Sequence, residues 1–261
     1  MRGSGMEKLK LGAQFFTLRD FTKTPGDFMR TMHRIADIGY KYVQVSGVGP
    51  DVKADVIKKA CDETGLSCYI THTPFARIID DTDAVIEEHK KFGCNIIGLG
   101  SAGDYSKSYD GFARLAQDLA PAVEKIKKAG MFFSYHNHWM EFEKLDGKHY
   151  LSAFIENSDM EAVKLTADVY WLHFSGLNEC KWLEENAKYI SCTHFKDLGV
   201  YQGKQTIVEV MTGNLDYPAI LESCKKAGIE YNFVELDTTT MDPFKAMKLS
   251  YDNLMATGYF E

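Results

Sequence analysis

The sequence predicts an α/β protein that folds as a (β/α)8 TIM barrel in a single domain. Three observations indicate this fold: apolar strand-like runs alternate with helical segments, the alternation occurs about eight times, and it spans nearly all of the 261 residues. A parallel sheet that closes on itself buries both faces and leaves no edge strand, which suits such continuous apolar runs. An open, doubly wound sheet is the alternative.

Most repeats share the same boundary signal. A helical segment ends close to a charged residue and a glycine, and an apolar β-branched or aromatic run follows at once. Glycine accepts the left-handed conformation that ends a helix, and a cation there faces the negative end of the helix dipole. Strands are predicted in residues 9–16, 40–45, 66–71, 94–97, 131–135, 162–169, 189–195 and 229–234, and helices near 26–38, 51–64, 80–92, 108–129, 149–157, 178–187, 216–227 and 243–256.

The domain is predicted to run from residue 6 to residue 261, because no Pro-rich, Gly/Ser-rich or low-complexity linker divides the chain. Residues 1–5, with the sequence Met-Arg-Gly-Ser-Gly, lack the apolar stretch of a secretory signal. We expect them to be an added extension that precedes a native start at Met6.

Composition and charge exclude several classes of function. The formal charge of −7 gives no attraction to nucleic acid or to an anionic membrane, and no apolar run approaches the roughly 20 residues of a membrane span. The sequence also lacks the GxGxxG fingerprint after its first strand and the GxxxxGK[ST] phosphate loop. Six scattered cysteines without a CxxC pair indicate reduced thiols, and we expect a cytoplasmic protein.

Polar residues follow several predicted strands directly, at the end where a parallel barrel carries its chemistry. Asp168, His194 and Glu235 follow three consecutive strands, so their side chains are expected to converge. Three nitrogen and oxygen ligands suit one divalent ion, with Mn²⁺, Mg²⁺, Co²⁺ and Zn²⁺ all compatible. A fourth ligand must come from Glu141, His136 or His138, and Glu141 is the first choice because it can turn back from the following loop.

Three further residues are candidates for binding a substrate. His72 ends the third strand, although a lone histidine there is about as often structural. Lys196 can be a substrate-binding cation that Asp197 orients, or half of a surface salt bridge. The ring of Trp171 can form the wall of a sugar site, although packing in the core is the commoner role of such a residue.

Together these segments resemble the xylose isomerase-like TIM barrels, in the branch of sugar phosphate isomerases/epimerases that includes inosose dehydratase and ketose 3-epimerase relatives. The resemblance covers nearly all of residues 6–261, and the segments that carry it are Gly12 to Asp20, Thr71-His72, Tyr135-His136-Asn137-His138, Glu141-Phe142, Asp168 to Trp171, Thr193 to Asp197, Gly213 to Asp216 and Val234 to Asp237.

The resemblance implies one divalent metal, commonly Mn²⁺, at ligand positions that match Asp168, His194 and Glu235. Ketose epimerases of this family carry a glutamate within the fifth strand, where this chain has Ser134. Glu141, with His136 or His138, would have to substitute for it. The implied activity is isomerisation or epimerisation of a sugar or oxidised sugar derivative through an enediolate, with Glu235 and Glu141 as acid and base. His72, His136, His138, Trp171 and Lys196 are then expected to contact the carbohydrate.

Other functions on the same barrel stay open at this stage. A lyase that dehydrates an inosose or cleaves a 3-keto glycoside begins with the same proton removal. A barrel that binds a sugar without turnover is compatible with Ser134 in the fifth strand. A metal-dependent abasic-site nuclease would need more metal ligands and a basic groove, which the net charge of −7 opposes. Homo-oligomers are common among such barrels, and the sequence is compatible with one.

Overall fold

The computed structural model describes residues 8–261, and the predicted extension at residues 1–5 lies outside this range. Eight parallel strands form a closed barrel. They are β1 (Lys10–Gln14), β2 (Tyr42–Val45), β3 (Ser67–Thr71), β4 (Ile96–Leu99), β5 (Phe132–His136), β8 (Val163–Asp168), β9 (Ile190–Phe195) and β12 (Tyr231–Val234). The order around the barrel is β1, β12, β9, β8, β5, β4, β3, β2, and β2 closes onto β1. The predicted (β/α)8 barrel is confirmed.

Ten α-helices surround the barrel in the described part of the chain. They are α1 (Pro25–Ile38), α2 (Ala54–Thr64), α3 (Phe75–Asp80), α4 (Thr82–Lys91), α5 (Tyr109–Lys128), α6 (Tyr150–Glu156), α7 (Val169–Phe174), α8 (Glu179–Asn186), α9 (Tyr217–Ala227) and α10 (Pro243–Ala256). Eight of them correspond to the predicted helices. The short helix α7 follows β8 directly, and α3 begins after the segment 72–74 that follows β3, so both form part of the carboxyl-terminal face of the barrel.

Two antiparallel hairpins were not predicted. Strands β6 (Lys144–Leu145) and β7 (Lys148–His149) pair after β5, and β10 (Asp197–Tyr201) pairs with β11 (Lys204–Val208) after β9. Each turn contains a non-glycine residue followed by glycine, both with positive φ: Asp146 (49°) and Gly147 (82°) in the first, Gln202 (49°) and Gly203 (74°) in the second. Both hairpins extend from the end of the barrel that carries the strand carboxyl termini.

The barrel interior is filled by side chains rather than open. Ile70, Ile96, Cys192 and Phe233 form a small buried cluster inside it. Gly12 of β1 is needed for this packing, because a Cβ at that position would lie 2.3 Å from the ring of Phe233. Two larger clusters lie between strands and helices and form the main core. A layer of polar side chains lies above this packed interior, at the carboxyl-terminal ends of the strands.

Within residues 8–261, no helix combines the length and the apolar character that crossing a bilayer requires. All six cysteines are free thiols, and four of them are buried.

Candidate active site

Four adjacent barrel strands bring four buried side chains together at the carboxyl-terminal end. His136 ends β5, Asp168 ends β8, His194 lies near the end of β9, and Glu235 directly follows β12. One ligand atom from each lies within 4.8 Å of one from every other member. We call these four residues the ligand cluster. Its members occupy consecutive positions around the barrel, because the strand order there is β12, β9, β8, β5.

The hydrogen bonds of the two histidines fix which nitrogens face the cluster. His136 Nδ1 donates to the carbonyl oxygen of Gly100 at 3.2 Å, and His194 Nε2 donates to Gln44 Oε1 at 2.6 Å. The remaining nitrogens, His136 Nε2 and His194 Nδ1, lie 3.0 Å apart. Burial and the neighbouring His194 lower the pKa of His136 well below its usual value, which favours the neutral ring. With both rings neutral and in these tautomers, two lone pairs face each other unless a cation lies between them.

The carboxylates face the same point. Asp168 Oδ2 lies 3.2 Å from His136 Nε2, and Glu235 Oε2 lies 2.7 Å from His194 Nδ1. Glu235 Oε2 nevertheless makes no well-directed hydrogen bond to the part of the chain described here. Four nitrogen and oxygen atoms that can each donate an electron pair to a metal thus converge.

The Lys196 side chain lies beside this cluster and is completely buried. Its Nζ is 3.0 Å from Asp168 Oδ2, 3.0 Å from Glu235 Oε2 and 2.9 Å from Asp237 Oδ2. Burial alone would lower the pKa of Lys196, but the three carboxylates raise it above its usual value, so the ammonium stays charged. Three carboxylates and one ammonium give a formal charge of −2 when the histidines are neutral.

The ligand cluster fits a divalent cation. Donor separations of 2.7, 3.0 and 3.2 Å match the roughly 3 Å expected between adjacent ligands with bonds of about 2.1 Å. The charge of such an ion would balance the excess negative charge of the buried group. His136, Asp168, His194 and Glu235 are the residues that would hold it.

Surrounding residues hold the ligand side chains in place. Gln14 Nε2 donates to Glu235 Oε1 at 2.8 Å, and Gln44 Oε1 accepts from His194 as described above. Asp168 divides its two oxygens between two tasks: Oδ1 accepts from the backbone N–H groups of Tyr170 and Trp171 at the start of α7, and Oδ2 faces the ligand cluster. Asp168 therefore caps helix α7 with one oxygen and faces the ligand cluster with the other.

A cavity of 440 Å³ lies at the mouth of the barrel, above the ligand cluster. Its wall includes His72, His136, His138, Glu235 and Asp237, and aromatic rings of Phe16 and Phe75. Beside it, the Trp171 ring lies 5.8 Å from that of His138. Buried polar atoms of His72 (Nε2), His138 (Nδ1) and Trp171 (Nε1) have no hydrogen-bond partner within residues 8–261. A polar ligand with several hydroxyl or carbonyl groups would supply partners for such atoms.

Glu141, the first choice for the fourth ligand, lies outside the ligand cluster. It is fully buried in the short turn after β5, where its carboxylate accepts from the Tyr135 hydroxyl and, at 2.8 Å, from the backbone N–H of His138. Burial raises the pKa of Glu141 above its usual value. His136 occupies the place that Glu141 was expected to fill, because it lies two residues beyond Ser134 on the same inward face of β5. Ser134 instead bonds Thr166 and Ser191 one layer deeper.

The contacts of Glu141 predict a positioning role for it. Glu141→Leu would leave the Tyr135 hydroxyl and the His138 N–H without an acceptor, at about 1–3 kcal/mol each. We expect the melting temperature to fall by about 5 °C or more and His138 to lose its fixed place in the cavity. Glu141→Gln should have a much smaller effect, because its amide can accept from His138 and donate to Tyr135. Equal melting temperatures for the Leu and Gln variants would contradict this role.

Lys196 and Asp197 do not form the pair that the sequence suggested, either as a substrate-binding unit or as a surface salt bridge. Lys196 is buried and contacts Asp237 instead. Asp197 points the other way and accepts three backbone N–H groups, from Leu198 at 2.7 Å, Gly213 at 3.0 Å and Leu215 at 3.1 Å. Asp197 therefore holds the loop that follows the β10–β11 hairpin.

Sequence reasoning missed three residues of the site: Gln14, Gln44 and Asp237. Gln14 is the last residue of β1, and Gln44 is the next-to-last of β2, both fully buried. The rule that found His194, a polar residue where an apolar strand ends, would have found both. Asp237 lies two residues after Glu235, so the alternation of side chains along an extended segment gave a signal for it as well.

Comparisons with known proteins agree with this architecture. A family model described as the xylose isomerase-like TIM barrel matches residues 32–252. A sugar phosphate isomerase/epimerase from Parabacteroides distasonis is similar in structure, with a TM-score of 0.82 and 21% identity over 99% of this chain and 100% of that one. A search of curated proteins gives no significant match.

Two epimerases of known structure share the fold. L-ribulose 3-epimerase has a TM-score of 0.75 and 16% identity, and the match covers 95% of this chain and 94% of that one. A 3-keto-D-glucoside 4-epimerase from E. coli has a TM-score of 0.72 and 18% identity, with 95% and 100% covered. These likenesses show the fold. Because the family model spans most of the sequence, the chain belongs to the xylose isomerase-like TIM barrel family.

Proposed function

We propose that this protein is a divalent-metal-dependent isomerase or epimerase that moves a proton next to a carbonyl group of a sugar or an oxidised sugar derivative. The observation that carries the proposal is the ligand cluster: four buried electron-pair donors converge beneath a polar cavity and leave an excess of negative charge. Manganese is the metal we expect, with Mg²⁺, Co²⁺ and Zn²⁺ as alternatives. The epimerases among the structural neighbours support the same class of reaction.

A divalent ion on the ligand cluster would polarise a substrate carbonyl and stabilise the negative charge that develops on its oxygen. The residues of this chain then have separable tasks. Glu235 reaches both the ligand cluster and the cavity, so its carboxylate can remove the proton from the carbon beside the carbonyl and leave an enediolate. Lys196 Nζ lies 3.0 Å from that carboxylate and 2.9 Å from Asp237 in the absence of metal.

Asp237 is the second proton carrier in this proposal, in the role that the sequence analysis gave to Glu141. Its carboxylate lines the same cavity as Glu235, and both contact Lys196 Nζ, at 2.9 and 3.0 Å. Glu141 has no comparable access, because it is fully buried against Tyr135 and the His138 N–H and is not among the residues that line this cavity. Delivery of a proton to the former carbonyl carbon, with the hydroxyl proton passing from one enediolate oxygen to the other, gives isomerisation. Delivery of a proton from Asp237 to the opposite face of the original carbon gives epimerisation.

Recognition of the carbohydrate falls to the unpartnered groups of the mouth. His72 Nε2 and His138 Nδ1 in the cavity wall, and Trp171 Nε1 on the ring beside His138, are placed to bind hydroxyl groups, and Phe16 offers an aromatic face to C–H surfaces. Burial lowers the pKa of His138 to about 3, and burial with the adjacent His136 keeps the pKa of His72 well below its usual value. At neutral pH both rings are therefore uncharged and can donate from one nitrogen and accept at the other.

Proton exchange tests the proposal directly. The protein is incubated in D₂O with a panel of ketoses, inososes and 3-keto glycosides, with Mn²⁺ or after removal of metal by EDTA, and proton NMR follows the C–H signal beside the carbonyl. We expect loss of this signal for at least one compound only when Mn²⁺ is present. A product that has lost water or an alcohol would identify a lyase instead. Absence of exchange across the panel, with bound Mn²⁺ confirmed, would favour a barrel that binds without turnover.

A further inference from the structure

Lys196 contacts the same oxygen atoms that face the ligand cluster. Its Nζ lies 3.0 Å from Asp168 Oδ2 and 3.0 Å from Glu235 Oε2, and these are the oxygens that approach His136 Nε2 and His194 Nδ1. The lysine is completely buried, so water does not screen its charge. A metal ion on those oxygens would lie next to the ammonium, and the two positive charges would repel each other.

A second anchor for the lysine lies on the side of the cavity. Asp237 Oδ2 is 2.9 Å from Lys196 Nζ, and the Asp237 side chain keeps 27% of its surface exposed. Asp237 lies outside the ligand cluster. A lysine that leaves Asp168 and Glu235 can therefore keep one carboxylate partner without remaining on the ligand oxygens.

We infer that Lys196 is an internal counter-cation that competes with the metal for Asp168 and Glu235, and that Asp237 receives it when the metal binds. The pair Lys196 and Asp237 then sets the metal affinity. Without metal, the ammonium stabilises carboxylates that would otherwise repel each other in a buried site. This inference rests on the proposed function only in that the ligand cluster binds a divalent ion.

Metal affinity measured without substrate tests the inference. Calorimetric titration with Mn²⁺ is expected to give at least about tenfold tighter binding for Lys196→Met than for the wild type, because a like charge beside the ion is removed. Without metal, the variant should melt at a lower temperature than the wild type. Added Mn²⁺ should raise its melting temperature by more than it raises that of the wild type. Lys196→Gln, which keeps a donor without the charge, serves if Lys196→Met does not fold.

The matched control is Lys10→Met. Lys10 also pairs with a glutamate, Glu230, at 3.0 Å, but at the opposite end of the barrel. Its replacement should leave the Mn²⁺ affinity unchanged. Equal or weaker Mn²⁺ binding by both Lys196 variants would overturn the inference.

A double-mutant cycle tests the role of Asp237. In the wild-type background, Asp237→Asn should weaken Mn²⁺ binding, because the lysine then has no alternative anchor. In the Lys196→Met background, the same change should have a much smaller effect. If Asp237→Asn weakens Mn²⁺ binding equally in the two backgrounds, the Lys196 ammonium does not move to Asp237 when the metal binds.

The outcomes separate this inference from the proposed function. An Mn²⁺ affinity that is the same in the wild type and the Lys196 variants overturns the inference alone. Mn²⁺ binding that becomes tighter when Lys196 is replaced, without proton exchange on any carbohydrate, supports the inference and overturns the proposed function. Absence of Mn²⁺ binding in every variant overturns both.

Discussion

Replacing Glu235 by glutamine is expected to lower the rate of proton exchange by about a thousandfold or more while the barrel stays folded. The change removes the group proposed as the base, and general base catalysis typically contributes about 10²–10⁴ in rate. It also removes one negative charge from the ligand cluster, which weakens the expected hold on the metal. The fold should tolerate the change, because glutamine has nearly the same shape and can still accept from Gln14 Nε2.

Deuterium incorporation at saturating Mn²⁺ measures this effect, and thermal unfolding checks the fold. Glu230→Gln is the matched control, because Glu230 lies five residues earlier and 47% of its side chain is exposed. We expect that control to keep the wild-type rate. Full activity of Glu235→Gln, with a normal melting temperature, would reject the assignment of the base.

Replacing Asp197 by alanine is expected to lower the free energy of unfolding by about 3–5 kcal/mol. The buried carboxylate accepts from the N–H groups of Leu198, Gly213 and Leu215, and each orphaned buried group costs about 1–3 kcal/mol. The loop after the β10–β11 hairpin should therefore loosen.

Urea unfolding of three variants tests this estimate. Asp197→Asn should lower the free energy of unfolding by less than Asp197→Ala does. Its amide oxygen can still accept from the N–H groups of Leu198 and Leu215, while its NH₂ group opposes the Gly213 N–H. Asp20→Ala, whose carboxylate is 79% exposed in the wild type, should change the free energy of unfolding by less than about 0.5 kcal/mol. A loss below 1 kcal/mol for Asp197→Ala would show that the loop does not depend on this carboxylate.

The fold could be predicted from sequence because its signals are local and repeated. Most predicted strands are apolar runs after a helix end, and glycines such as Gly39, Gly65 and Gly228 adopt the left-handed conformation that such a helix end requires. The hairpins were missed although Asp146-Gly147 is a strong turn signal. Their strands are only two residues long in β6–β7, and the β10–β11 hairpin lies outside the helix–strand repeat that guided the prediction.

The candidate site could be predicted only where a strand fixes the direction of the side chain. Asp168 and His194 lie within strands and Glu235 directly follows one, so the barrel topology alone brings them together. The choice between Glu141 and His136 could not be made in this way. The direction of Glu141 depends on the turn Met140–Phe142 and on the buried Tyr135 hydroxyl, which is a tertiary contact. The position of Lys196 likewise follows from three carboxylates on other strands and loops.

The ligand cluster lies on the consecutive strands β12, β9, β8 and β5, so the two halves of the barrel contribute different parts of the site. The other half, β1 to β4, contributes Phe16, Ser46, Thr73, Phe75 and Ser101 to the wall of the mouth from segments that follow its strands. None of these five belongs to the ligand cluster. Libraries that vary these five positions and keep Gln14 and Gln44 would therefore change the shape of the mouth without altering the ligand cluster or the residues that hold it.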